Sequence, residues 1–184
     1  MQRTFPGTTI EVSRLEKGSS KTLFDGLFAA GGITLSQVSV MTALEPYMIQ
    51  NWVKRGFLTS PVRRMYGKDQ FARIAIINML KDCLQLDMIC NLLRIMQGDP
   101  KDKGSSWISD ELLYHIYVDM LTDPAVQWSN AEEMKRAADV AAENCEACTA
   151  SQKGQLSLIL QVMLQAHFAS QLRMRAEETL ARLQ

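Results

Sequence analysis

The chain has 184 residues, 47% of them hydrophobic and 22% charged, with only 10 glycines and 5 prolines. Such a length holds one or two domains without disulfide staples, and such a composition excludes global disorder and collagen-like repeats while favouring helix through Leu, Ala, Met and Gln. Twenty basic residues balance twenty acidic ones, so any nucleic-acid or membrane surface must come from how charge is distributed.

Residues 1–32 read as an N-terminal arm. Gly7, Gly18, Ser19 and Ser20 fall in a stretch without periodicity, which suggests a mobile or loosely docked segment followed by a short helix over about 21–30 and a stop at Gly31-Gly32. Met1 to Glu16 contains Arg3 but no uninterrupted apolar run before a small-residue cleavage site, so it does not resemble a secretory leader and a cytoplasmic location is expected. The longest charge-free stretch, Gly154 to Leu172, carries Gln155, Ser157, Gln161, Gln165, His167, Ser170 and Gln171, too many polar groups for a membrane helix. The four cysteines are expected to be reduced thiols in that compartment.

Residues 33–96 form the most informative block. Thr34 is placed to cap a two-turn helix, and Glu45-Pro46 opens a second one with proline at its first position and Gly56 past its end. Two short helices joined by about three residues make a helix-turn-helix. Thr59 to Gly67 is too short and polar for a core element and suits a small two-stranded wing. From Lys68 to Cys83, Ala72, Ile76, Met79, Leu80 and Cys83 recur at helical spacing with Gln70, Asn78 and Lys81 opposite. Phe71, Ile74 and Ile77 lie outside that stripe, so this helix should be covered by more than one neighbour. Asp87 to Met96 gives another short helix, capped by Asp87 and stopped at Gly98-Asp99-Pro100.

Lys101 to Ser106 is the expected boundary, beyond which residues 107–184 read as a helical dimerisation or effector domain. Its helices fall at about 108–121, at about 129–149 with Ser129 as cap, and at about 152–183. The last is apolar nearly all round to Met163 and then narrows to the stripe Phe168, Leu172, Ala176, Leu180 and Leu183, the expected homodimer interface.

Charge is uneven. Between Gln50 and Arg73 stand Lys54, Arg55, Arg63, Arg64, Lys68 and Arg73 against the single acid Asp69, a local excess where phosphate contacts would be needed. A solvated basic face would look the same by charge alone, but here it coincides with the paired helices and the wing.

Leu44-Glu45-Pro46, Gly56-Phe57-Leu58 and Arg64-Met65-Tyr66 stand where the MerR-type winged helix-turn-helix has its Pro-opened second helix, its glycine exit and its wing, and residues 33–96 resemble that family. The whole chain also resembles an uncharacterised bacterial domain-of-unknown-function family with a MerR-like N-terminal half. The resemblance implies an all-α fold, a winged helix-turn-helix followed by a helical domain, and a DNA-binding transcriptional regulator whose partners are double-stranded DNA and a second copy. It places Tyr47, Gln50, Asn51 and Lys54 on the exposed face of the second helix, Gln50 or Asn51 reading adenine, with Arg55, Arg63 and Arg64 near the backbone, Tyr66 supporting the wing and Trp52 inward. The alternative is a protein-interaction module whose helix-turn-helix does not bind DNA.

Other motifs point to less. Cys145-Glu146-Ala147-Cys148, in an Ala- and Glu-rich helix-like run, has thiol-exchange or metal spacing but no completing second pair, and Cys83 and Cys90 read as small core residues. His115 and His167 lie in apolar helices, and Trp107, Tyr114, Tyr117 and Trp128 fit core packing better than an effector pocket. With no phosphate loop, nucleophile elbow or paired-carboxylate signature, neither an enzyme nor a cofactor is expected.

Overall fold

The computed structural model describes residues 3–97, 106–124, 126 and 130–183. The helix stop at Gly98-Asp99-Pro100, most of the boundary segment, Trp128 and Ser129 lie outside the described residues. Among the described residues the chain is mainly helical, as its composition implies, with two small antiparallel strand pairs. The order is β1 (Arg3–Thr4), β2 (Glu11–Val12), α1 (Ser19–Leu27), β3 (Ile33–Thr34), α2 (Leu35–Thr42), α3 (Pro46–Lys54), β4 (Met65–Tyr66) and α4 (Lys68–Leu80). It continues through α5 (Leu86–Arg94), a single 3-10 turn at Ile95–Gln97, α6 (Asp110–Met120), α7 (Ala131–Glu143) and α8 (Ala150–Ala181).

Local signals set most helix starts. Thr34 caps α2 in a reciprocal box, its hydroxyl accepting from the Gln37 amide at 3.3 Å while the Gln37 carbonyl oxygen accepts from the Thr34 amide at 2.8 Å. Pro46 opens α3. The cap of α7 is Asn130, whose side chain accepts from the Glu133 amide, one residue later than expected, and α7 ends at Glu143, not near 149. α5 starts at Leu86 with no side-chain cap, leaving Asp87 in its first turn.

The N-terminal arm is docked, contrary to the expectation of a loose segment. Phe5 is buried, the Thr9 amide donates to the Met41 carbonyl at 2.8 Å, and the Asn78 side-chain amide donates to the Gly7 and Thr42 carbonyls at 2.9 Å each. Gly7 is required where the arm crosses α4. Its φ is +72°, and a Cβ there would lie 1.9 Å from the Ala75 carbonyl oxygen. The polar side of α4 is thus a docking face, Asn78 holding the arm and Gln70 donating to the Thr59 carbonyl at 2.8 Å.

α4 is buried continuously from Phe71 to Ile77 and packs against α2, α5, α6 and α8. Its centre is aromatic: Phe24 of α1 lies 5.4 Å from both Phe71 and Tyr114, ring centre to ring centre. α6 therefore belongs to the same core as α1 and α4, while α7 and α8 pack on each other, α7 also against α6 and α8 against α4. From Leu172 onward the side chains of α8 are exposed, Arg173 reaching back to Asp82 at 3.6 Å. Among the described residues no helix is long and apolar enough to cross a membrane.

Candidate nucleic-acid interface

α2 and α3 are joined by three residues, of which Ala43 takes φ 53° and Ser39 donates its hydroxyl to the Leu44 carbonyl at 2.6 Å. α3 buries Ile49 and Trp52 and turns Tyr47, Gln50, Asn51 and Lys54 to solvent. Those four positions follow the spacing of one helix face, so the burial of the other face presents them together.

The loop after α3 closes as a two-residue hairpin. The Val62 amide donates to the Met65 carbonyl at 3.1 Å and the Met65 amide to the Val62 carbonyl at 2.9 Å, which leaves Arg63 and Arg64 as the tip. Both have positive φ, 51° and 64°, as a type I′ turn requires. Such turns favour Asn-Gly because an ordinary side chain in the left-handed region costs about 1–2 kcal/mol.

β4 then pairs with β3, Ile33 opposite Tyr66 and Thr34 opposite Met65. Because β3 leads directly into α2, this pairing ties the hairpin to the paired helices. Gly32 permits it, since a Cβ would lie 2.7 Å from the Met65 Cβ. Between α3 and the hairpin runs a cleft of about 550 Å³ lined by Leu35, Gln50, Val53, Pro61, Arg64 and Tyr66.

Several residues of the basic segment do other work. Tyr66 is only 3% exposed, so it supports the hairpin from beneath and is not an outward contact. Arg73 is buried and bonded to Asp110 at 2.6 Å, with its Nε donating to the Phe57 carbonyl at 2.9 Å. Lys68 pairs with Asp25 and lies 3.7 Å from Glu111, and these carboxylates hold its ammonium above the usual lysine range. Arg55 lies over the Phe57 ring at 4.4 Å and 3.7 Å from Asp87. Lys54, Arg63 and Arg64 are exposed and have no ion pair among the described residues. The patch is therefore narrower than the charge count implies, and it is centred on the hairpin tip and the end of α3.

Most of the remaining candidates are in the core, but Cys83, expected among the core residues, lies past the end of α4 at Leu80 and is exposed. Tyr114 is fully buried and donates to the Pro6 carbonyl at 2.8 Å, and Tyr117 is bonded to His167 at 2.7 Å. His115 meets the Ser20 hydroxyl at 2.9 Å, and burial lowers its pKa. Trp107 is half-buried, with its ring nitrogen donating to the Ile95 carbonyl at 3.3 Å. Among the described residues no group of three or more His, Cys, Asp or Glu side chains is arranged to hold a metal ion.

Residues 32–117 match the family model of a domain of unknown function, DUF1836. The match starts beside β3 and ends in α6, so it takes in α2, α3, the hairpin, α4 and α5. Among curated proteins and solved structures no match was found.

Proposed function

We propose that this protein is a cytoplasmic DNA-binding transcriptional regulator, gripping double-stranded DNA with a MerR-like winged helix-turn-helix. The observation that supports this most is the Arg63-Arg64 tip. A turn selected for stability alone would carry Asn-Gly. Two long cations held there at a conformational cost fit phosphate binding, where strain is retained for function. In this reading α3 enters the major groove, Gln50 and Asn51 meet base edges, and Lys54, Arg63 and Arg64 contact backbone, with Arg55 and Tyr47 flanking. The exposed Tyr47 and Val62, at 68% and 74%, together with the narrow patch, favour a protein-docking surface as the second reading.

The decisive variant is Arg63→Asn with Arg64→Gly. It gives the turn its preferred residues, so the fold should gain about 1–2 kcal/mol. Binding to duplexes of any sequence should nevertheless weaken, with the slope of log affinity against log salt falling by about two. Unchanged affinity at low salt would remove the hairpin from the interface, and no salt-dependent binding by the parent chain would favour the protein-docking reading. Gln50→Ala and Asn51→Ala should instead cost about 1–3 kcal/mol at a specific site and little on random duplex.

The end of α8 is proposed as the homodimer contact. Phe168 is half-buried against the core, whereas Leu172, Ala176, Leu180 and Leu183 are exposed, Leu180 at 58%, so the chain itself does not cover them. A second copy would supply the second half-site, about one helical turn of DNA away. Since Leu172 and Leu180 are already exposed, Leu172→Glu with Leu180→Glu should leave the fold intact and halve the sedimenting mass. A parent chain that sediments as a monomer at micromolar concentration would reject the interface.

A further inference from the structure

Cys145 and Cys148 are brought together by the early end of α7. The chain turns between Glu143 and Ala150, the Cys148 amide donates to the Cys145 carbonyl at 3.2 Å, and the two sulfurs lie 2.7 Å apart. Both thiols are buried, at 6% and 9%, but Asn144, Glu146, Ala147 and Thr149 around them are exposed, so only a surface turn separates the sulfurs from solvent. The turn is also clamped from outside, Lys153 donating its ammonium to the Glu143 carbonyl at 2.6 Å and Thr149 capping α8.

We propose that Cys145 and Cys148 form a two-electron redox site that a low-molecular-weight disulfide closes to an intramolecular disulfide. One thiolate attacks a sulfur of the small disulfide, forming a mixed disulfide and expelling one small thiolate. The second cysteine's thiolate then attacks the mixed disulfide at the protein sulfur and expels the other. Two protein thiols lose two electrons and two protons, and the small disulfide gains them as two thiols. The contact between sulfurs means that this second step needs no rearrangement of the helices. Burial pushes the Cys148 thiol up to about 12, so closure should be slow at neutral pH and faster as pH rises. Such a pair behaves as a slow two-state site and not as a rapid exchange catalyst.

The test uses the intact folded chain equilibrated with mixtures of reduced and oxidised glutathione, quenched with acid, alkylated and digested with trypsin. Cleavage at Arg136 and Lys153 releases one peptide that carries Cys145 and Cys148 and no other cysteine. Under oxidising mixtures that peptide should lose two hydrogen atoms and take no alkyl group, in a single two-electron transition, while exposed Cys83 forms only a mixed disulfide with glutathione. In Cys145→Ser or Cys148→Ser, at least one surviving thiol should be trapped carrying one glutathione. Continued alkylation of both cysteines in excess oxidised glutathione, closure only after unfolding in urea, or trapping in neither variant would overturn the proposal.

Discussion

Replacing Arg73 by Met should cost the fold about 3–5 kcal/mol, because it leaves the buried Asp110 carboxylate without its counter-charge. The two side chains are 11% and 8% exposed, and their bond joins α4 to the first residue of α6. Burial already pushes the Asp110 carboxyl up to about 6, with the guanidinium pulling the other way. Without Arg73 the carboxyl can escape its cost only by taking a proton, so the deficit should shrink in acid. Arg73→Met with Asp110→Leu should recover most of the loss, since two apolar groups replace two desolvated charges. Urea unfolding at pH 5 and pH 8 measures all of this, and a loss below about 1 kcal/mol in the single variant would mean that the pair is not formed in solution. Because Arg73 is buried, the proposed DNA reading expects this variant to lose affinity only in step with its loss of fold.

The second large effect is acid sensitivity through His167. Burial holds this imidazole neutral, with a pKa of about 4 in place of about 6.5. With the Gln171 amide donating to Nε2 at 3.0 Å, the imidazole proton sits on Nδ1 and is donated to the Tyr117 oxygen at 2.7 Å. A second proton would have to sit on Nε2, facing that amide. Above pH 6.5 both folded and unfolded histidine are neutral, and the group adds no pH dependence. Between pH 6.5 and 4 the unfolded chain takes up a proton that the folded chain refuses, so stability falls as pH falls. Below pH 4 both forms are charged and the loss, about 3 kcal/mol, is complete. His167→Gln should flatten stability against pH within that window relative to the parent chain. Parallel curves for the two would show that His167 is hydrated in the folded state.

Features that act over a few residues were legible in the sequence. The Thr34 cap and Pro46 at the start of α3 each involve neighbours within four residues, and each sits where expected. The circumferentially apolar α4 likewise has several neighbours. What was not legible is what distance in sequence conceals. Arg73 counts as one more cation in a basic run until Asp110, 37 residues away, is seen to neutralise it. The arm has no hydrophobic period because main-chain carbonyls and one glycine contact dock it. Arg63 and Arg64 carry no turn signal, since the residues usual in a type I′ turn are absent. Tyr66, placed by resemblance beside the wing, is buried by the β3–β4 pairing that no local pattern announces. The Ala and Glu around Cys145 and Cys148 imply a helix, whereas α7 stops at Glu143 and leaves both cysteines in a turn.

The hydroxyl of Tyr114 reaches back 108 residues to the Pro6 carbonyl, and Phe24 packs on Phe71 and Tyr114. This sets a timetable for synthesis. At about 5–20 residues per second, Pro6 waits on the order of 5–20 s for Tyr114 to be made. Until then Phe24 lacks the Tyr114 ring, the Pro6 carbonyl lacks its hydroxyl partner, and α4, on which α2 packs, lacks the cover of α6. Long-range closure of this kind also slows refolding of the finished chain. The surface proposed to meet DNA is therefore synthesised before α6 and gains its full support only once α6 has packed on α4.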